Sequence, residues 1–93
     1  MDINYEMLPE HLRSGAHRYI AHGVRPGSFL CAVIRGDRNS ALACADDTNR
    51  ARFTEIEAFW YDEAPFMCHG SKAAMSRWIR EGGAAGLSEE VAR

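Results

Sequence analysis

Four histidines and three cysteines carry the most reactive side chains in this chain, so their spacing decides which chemistry is open to it. Zinc sites draw their ligands from short clusters, paired cysteines two residues apart or histidines about one helical turn apart. Cys31, Cys44 and Cys68 form no such pair, and an odd, widely spaced set fits neither a disulfide framework nor a structural zinc site. His11 and His22 fall three turns apart along one edge of a helix, too far for one metal, while His17 faces away from both and His69 lies in a distant loop. No metal and no cofactor is expected. Cys68 with His11, His17 or His22 as its base is the one enzymatic arrangement these residues allow, since a reactive thiolate needs a neighbouring base and partial exposure. A cysteine acting as a small buried apolar residue is the simpler reading. A chain of 93 residues has little room for both a substrate cleft and an oxyanion site, so the expected class is a protein that is not an enzyme.

The remaining candidates are binding residues. Asp46, Asp47, Glu55, Glu57, Asp62 and Glu63 make the middle of the chain acidic, and Arg13, Arg18, Arg25, Arg35 and Arg38 make its first part basic. Such a division can steer a charged partner, although amphipathic helices also carry mixed charge on their solvated faces for no other reason. Tyr61 projects off the apolar stripe of its helix beside Asp62 and Glu63, which makes it a better contact residue than Trp60 or Trp78, both on core stripes. Glu55, Tyr61, Asp62 and Glu63 are therefore the expected partner-binding set, facing an arginine-rich surface. Phe66 and Met67, apolar residues in a loop, are a second candidate. In an alternative reading Arg13, Arg18 and Arg25 hold the phosphates of a nucleotide signal in a positive pocket, formed at a subunit boundary of a sequestering oligomer. A net charge of −2 and an acidic long helix speak against direct nucleic-acid binding, and the last helix offers only Lys72, Arg77 and Arg80.

These side chains need elements to hold them. Leu8, Leu12, Ala16, Tyr19 and Ile20 recur at helical spacing and predict an amphipathic helix from Leu8 to about His22, with Pro9 in its first turn and Gly23 at its end. Phe29 to Ile34 is six apolar residues in a row. It reads as a short central helix ended by Gly36, because no second strand-like run is present to pair with it. Ser40 caps a weaker piece, Ala41 to Ala45, and Asp46-Asp47-Thr48 opens a longer helix reaching about Glu63, with Phe53, Ile56, Phe59 and Trp60 on one side. Pro65 stops it. Ser71 caps a last helix whose stripe is Ala74, Met75, Trp78 and Ile79, closed by Gly82-Gly83. The expected fold is all-α, a single compact domain of four to five short helices over residues 5–83, followed by a C-terminal tail, 84–93, that is mobile or a frayed turn. With 46% apolar residues the domain can fold unaided. Met1 to Met7 lacks the basic and apolar regions of an export signal, and no apolar run approaches the roughly 20 residues that span a bilayer, so a cytoplasmic place and no membrane partner are expected.

The segments His17-Arg18-Tyr19-Ile20, His22-Gly23, Pro26-Gly27-Ser28-Phe29-Leu30-Cys31-Ala32-Val33, Ala45-Asp46, Asn49-Arg50, Tyr61, Glu63-Ala64-Pro65, Cys68, Gly70-Ser71 and Trp78 resemble a group of small accessory proteins of tailed phages and prophages. The likeness covers about residues 5 to 82. Where that group carries Cys-Trp-Gly-Ser, this chain has Cys68-His69-Gly70-Ser71. The resemblance implies a viral gene acting inside a bacterium. With it comes the expectation of a non-catalytic binder of a host protein, similar in size and lack of motifs to inhibitors of bacterial defence such as anti-CRISPR proteins. A homodimer is compatible with this reading.

Overall fold

Pro9, with φ −53°, sets the entry to the first helix, and Gly23, in the left-handed region at φ 69°, ends it, so α1 spans Glu10–His22. The computed structural model describes residues 3–92, with side chains through residue 87. The other helices are α2 (Ser28–Arg35), α3 (Arg38–Cys44), α4 (Asp47–Ala51), α5 (Phe53–Asp62), α6 (Lys72–Glu81) and α7 (Gly83–Ala92). Two short 3-10 turns, Tyr5–Met7 and Phe66–Cys68, complete the chain, and no strand occurs among the described residues. The fold is all-α. None of these helices is long and apolar enough to cross a membrane.

Side-chain caps fix the starts of α3, α4 and α6. Asp37 Oδ1 accepts from Ser40 N at 3.1 Å, Asp46 Oδ1 from Asn49 N at 2.7 Å and Ser71 Oγ from Ala74 N at 3.0 Å. The cap of α3 is thus Asp37, three residues before the expected Ser40, whose hydroxyl instead donates to Asp37 Oδ2 at 2.7 Å. The Ser40 hydroxyl and amide hold the Asp37 carboxyl below its ordinary range.

More helices are present than the four to five expected, for two reasons. The long helix expected to reach Glu63 breaks at Arg52, whose backbone turns to φ −107°, ψ 18° between α4 and α5. The Arg52 guanidinium donates to the Met7 carbonyl at 3.0 Å and to Glu55 Oε2 at 3.1 Å, a long-range tie invisible to helical periodicity. The second reason lies at the other end. Residues expected as a tail form α7, which packs along α1 and carries Ala84 and Leu87 against the core; Arg93 lies outside the described residues. Gly82 and Gly83, at φ 80° and 70°, turn the chain back instead of closing the domain. There the two backbones meet directly. A Cβ on Gly83 would lie 2.5 Å from Gly23 N and 2.7 Å from His22 N, so only glycine permits the approach.

The core follows the stripes. Leu12, Ala16, Tyr19 and Ile20 of α1, Phe29 to Ala32 and Ile34 of α2, Phe53, Ile56, Phe59 and Trp60 of α5, and Met75 and Trp78 of α6 are all buried. Each large aliphatic or aromatic side chain removed from water contributes roughly 1.5–3 kcal/mol before entropy is counted. Trp60 sits at the centre, edge-on to Phe59 at 5.2 Å and to Tyr19 at 6.1 Å. Two buried hydrogen bonds cross the helices. Tyr19 OH donates to the Cys68 carbonyl at 2.6 Å, and Trp78 Nε1 donates to the Tyr19 carbonyl at 2.9 Å.

Candidate functional site

After Pro65 stops α5, the 3-10 turn and residues 69–70 would be an ordinary exposed loop, yet three contacts hold them against the helices. Tyr19 grips the Cys68 carbonyl, Gly70 N–H donates to the Ile34 carbonyl at 2.7 Å, and Gly36 passes so close that a Cβ there would stand 3.1 Å from Gly70 O. The chain between these points therefore holds His69 in one place. Its ring stands edge-on to Tyr61 at 5.4 Å and an 89° interplanar angle, and tilted to Trp60 at 6.2 Å. Partial burial lowers the His69 pKa from its ordinary value and favours the neutral ring.

These residues line a narrow cleft of about 50 Å³, completed by Val33, Gly36, Arg38, Phe53, Glu57 and Gly70. Arg38 lies 5.5 Å from the Phe53 ring centre, with Nη2 3.7 Å from Glu57 Oε1, so one cation serves an aromatic face and a carboxylate together. Trp60 Nε1, buried in the same side chain that lines the cleft, has no hydrogen-bond partner among the described residues. Outside the cleft the end of α5 and the turn after it carry large apolar side chains into solvent. Tyr61 is 74% exposed, Phe66 83% and Met67 55%; the other exposed large apolar side chain among the described residues is Val24.

The expected partner-binding residues do not all share this surface. Glu55 is an ion pair with Arg52, and the Glu63 carboxylate accepts from Asn4 N at 2.8 Å, tying the N-terminal segment to α5. Tyr61 and Asp62 are exposed, and no ion pair engages Asp62 among the described residues. On the Tyr61 side the acid is Glu57, one turn earlier, rather than Glu55. Sequence periodicity could have found that pairing; it could not have found His69, Gly36 and Gly70, which tertiary contacts bring together.

The reactive residues are placed differently. Cys68 is fully buried, and burial pushes its thiol up to about 12, which keeps it protonated at neutral pH. Cys31 Sγ donates to the Pro26 carbonyl at 3.2 Å, Cys44 is exposed, and all three cysteines are free. His17 does not face away from His22: their rings stand edge to face with centres 6.3 Å apart. His17 also meets Tyr5 edge-on at 5.6 Å, and His11 Nε2 lies 3.7 Å from Asp46 Oδ2. Among the described residues no three His, Cys, Asp or Glu side chains gather as a metal-binding group. Arg13 is separated from Arg18 and Arg25, since its Nε donates to the Leu8 carbonyl at 3.0 Å. Arg18 and Arg25 line a second cavity, at the opposite end of α2 from the cleft.

Fold and surface together define a small all-α module with a fixed aromatic cleft and an exposed apolar margin. No protein-family model matches the chain, and neither does a curated protein or a solved structure.

Proposed function

We propose that this protein is a non-catalytic accessory protein, of the phage type its sequence resembles, that docks on a host protein in the bacterial cytoplasm through Tyr61, Phe66 and Met67. The carrying observation is the exposure of those three large apolar side chains, Tyr61 at the end of α5 and Phe66 and Met67 on the turn that Tyr19 ties down at the Cys68 carbonyl. Covering them would contribute on the order of 5–8 kcal/mol from apolar area, enough to matter but comparable to the cost of association alone. A specific complex needs more contacts. Asp62, unpaired among the described residues, supplies negative charge beside the apolar group, whereas the charge of Glu57 is offset by Arg38, so the fitting partner surface is apolar at its centre with an arginine at its margin. Inhibition of a host defence system is the biological role that this chemistry and the resemblance suit. The protonated, buried Cys68 weighs on the side of binding rather than catalysis.

The experiment compares the wild-type chain with the variant Phe66→Ser/Met67→Ser, both immobilised in bacterial lysate. A host protein held by the wild type and lost from the variant supports docking through this face, as long as circular dichroism shows the variant folded. Capture of the same proteins by both would refute it. Self-association is read separately by sedimentation of the purified chain.

A further inference from the structure

The second cavity, about 370 Å³, lies between α1 and the turn into α2. That volume sits at the small end of the range used for organic ligands. Its α1 wall carries Ser14 and Arg18, and its opposite wall carries Arg25, Gly27 and Ser28. The charge there is unbalanced. Arg18 and Arg25 have no ion-pair partner among the described residues, whereas Arg35, Arg38 and Arg52 are all paired with carboxylates. His11 also lines the cavity, and Asp46, outside the lining, stands 3.7 Å from its Nε2. The lining holds two guanidinium groups, about +2, and no carboxylate, which matches a phosphate dianion better than a singly charged carboxylate.

Backbone and hydroxyl donors fall beside these charges. The first amides of α2 have no intrahelical acceptor, and the Gly27 cap offers no side chain to take them. Approach to them is open, because a Cβ on Gly27 would meet nothing within 4 Å. Leu12, Pro26 and Phe29 give the same cavity an apolar lining that suits an organic body attached to the anion. We infer that this cavity binds a small phosphate monoester, with Arg18 and Arg25 holding the phosphate, the α2 amides and Ser28 completing its hydrogen bonds, and the apolar lining receiving the organic part. The site lies within one chain and needs no subunit boundary. It is independent of the docking face at Tyr61, Phe66 and Met67.

The test is a titration of the ¹⁵N-labelled protein at low ionic strength, followed by amide shifts, with AMP as the probe and adenosine as its uncharged control. AMP should produce saturable shifts at Ser28, Phe29 and Leu30, and adenosine should not. Arg18→Ala and Arg25→Ala, both at exposed positions, should each weaken AMP about tenfold or more, as loss of a charge-assisted pair predicts. The Phe66→Ser/Met67→Ser variant should bind AMP as the wild type does, which separates this site from the docking face. Shifts that never saturate, equal shifts with adenosine, or undiminished affinity in a folded Arg18→Ala/Arg25→Ala double variant would each overturn the assignment.

Discussion

Tyr19→Phe removes a single oxygen atom and tests how the Cys68–Gly70 segment is held. Tyr19 is fully buried, and its hydroxyl donates to the Cys68 carbonyl at 2.6 Å. The substitution keeps the ring, and so the contact with Trp60 and nearly all of the buried area. What it loses is the donor to a buried carbonyl. Leaving such a group unsatisfied costs about 1–3 kcal/mol, against a small gain from the more apolar ring. Taking about 2 kcal/mol, and about 4–8 °C per kcal/mol for a domain of this size, the melting temperature should fall by roughly 8–16 °C. Urea unfolding followed by far-ultraviolet circular dichroism should show a lower midpoint with an unchanged slope, the sign of lost stability without a change of fold. Tyr61→Phe is the control. Its hydroxyl belongs to an exposed side chain, so the effect should stay within about 0.5 kcal/mol. If Tyr19→Phe were no more costly than Tyr61→Phe, the buried bond would not be what fixes the turn.

Stability should also respond to pH at both ends. Burial lifts the Cys68 thiol from 9.0 to about 12, so the unfolded chain gives up that proton first. The Cys68 contribution is therefore complete below pH 9 and should fall as pH rises toward 12, by about 1.4 kcal/mol per unit; urea midpoints between pH 8 and 10 measure it, before the Tyr19 hydroxyl, also raised by burial, adds its own loss, and Cys68→Ala should flatten the decline in that range. His69 titrates in the opposite sense. Its pKa is held below the ordinary 6.5 by burial, so stability is complete above that value and is lost as pH falls through it toward the depressed one. His69→Gln should reduce the loss between pH 6.5 and 5, and an unchanged profile would remove His69 from the account. Gly83→Ala places a Cβ 2.5 Å from Gly23 N at φ +70°, and should cost more than about 3 kcal/mol or displace α7, whereas Gly27→Ala should change stability by less than about 1 kcal/mol in the same unfolding assay.

Much of the helical core was legible in the sequence because it depends on local register. Leu12, Ala16, Tyr19 and Ile20, and likewise Phe53, Ile56, Phe59 and Trp60, are buried where a repeat of three and four places them. Tyr61, one position off its stripe, is exposed for the same reason. The features that escaped depend on contacts between distant residues. The break at Arg52 follows a guanidinium bond to Met7, and α7 follows a turn at Gly82-Gly83 that brings small residues against α1. Composition made the last ten residues resemble a tail, since Ala84 and Leu87 offer too little apolar area to mark a helix by themselves. The cleft was hidden similarly: Gly36 reads as a helix end and Gly70 as part of a distant loop, and only the approach of one to the other fixes His69 beside Tyr61. The positive cavity needed the path of the Arg25-Pro26-Gly27-Ser28 turn across α1, and Arg13, expected there, is drawn off by the Leu8 carbonyl.

Site-specific photocrosslinking inside the bacterial host tests the docking face most directly. A photoreactive phenylalanine is placed at Phe66 in one variant and at Ala85, exposed on α7 and no part of the cleft, in another. The account predicts one dominant adduct with a host protein from position 66, abolished when Tyr61→Ser is added, and no such adduct from position 85. Equal adducts from both positions, or an adduct from 66 indifferent to Tyr61→Ser, would contradict it.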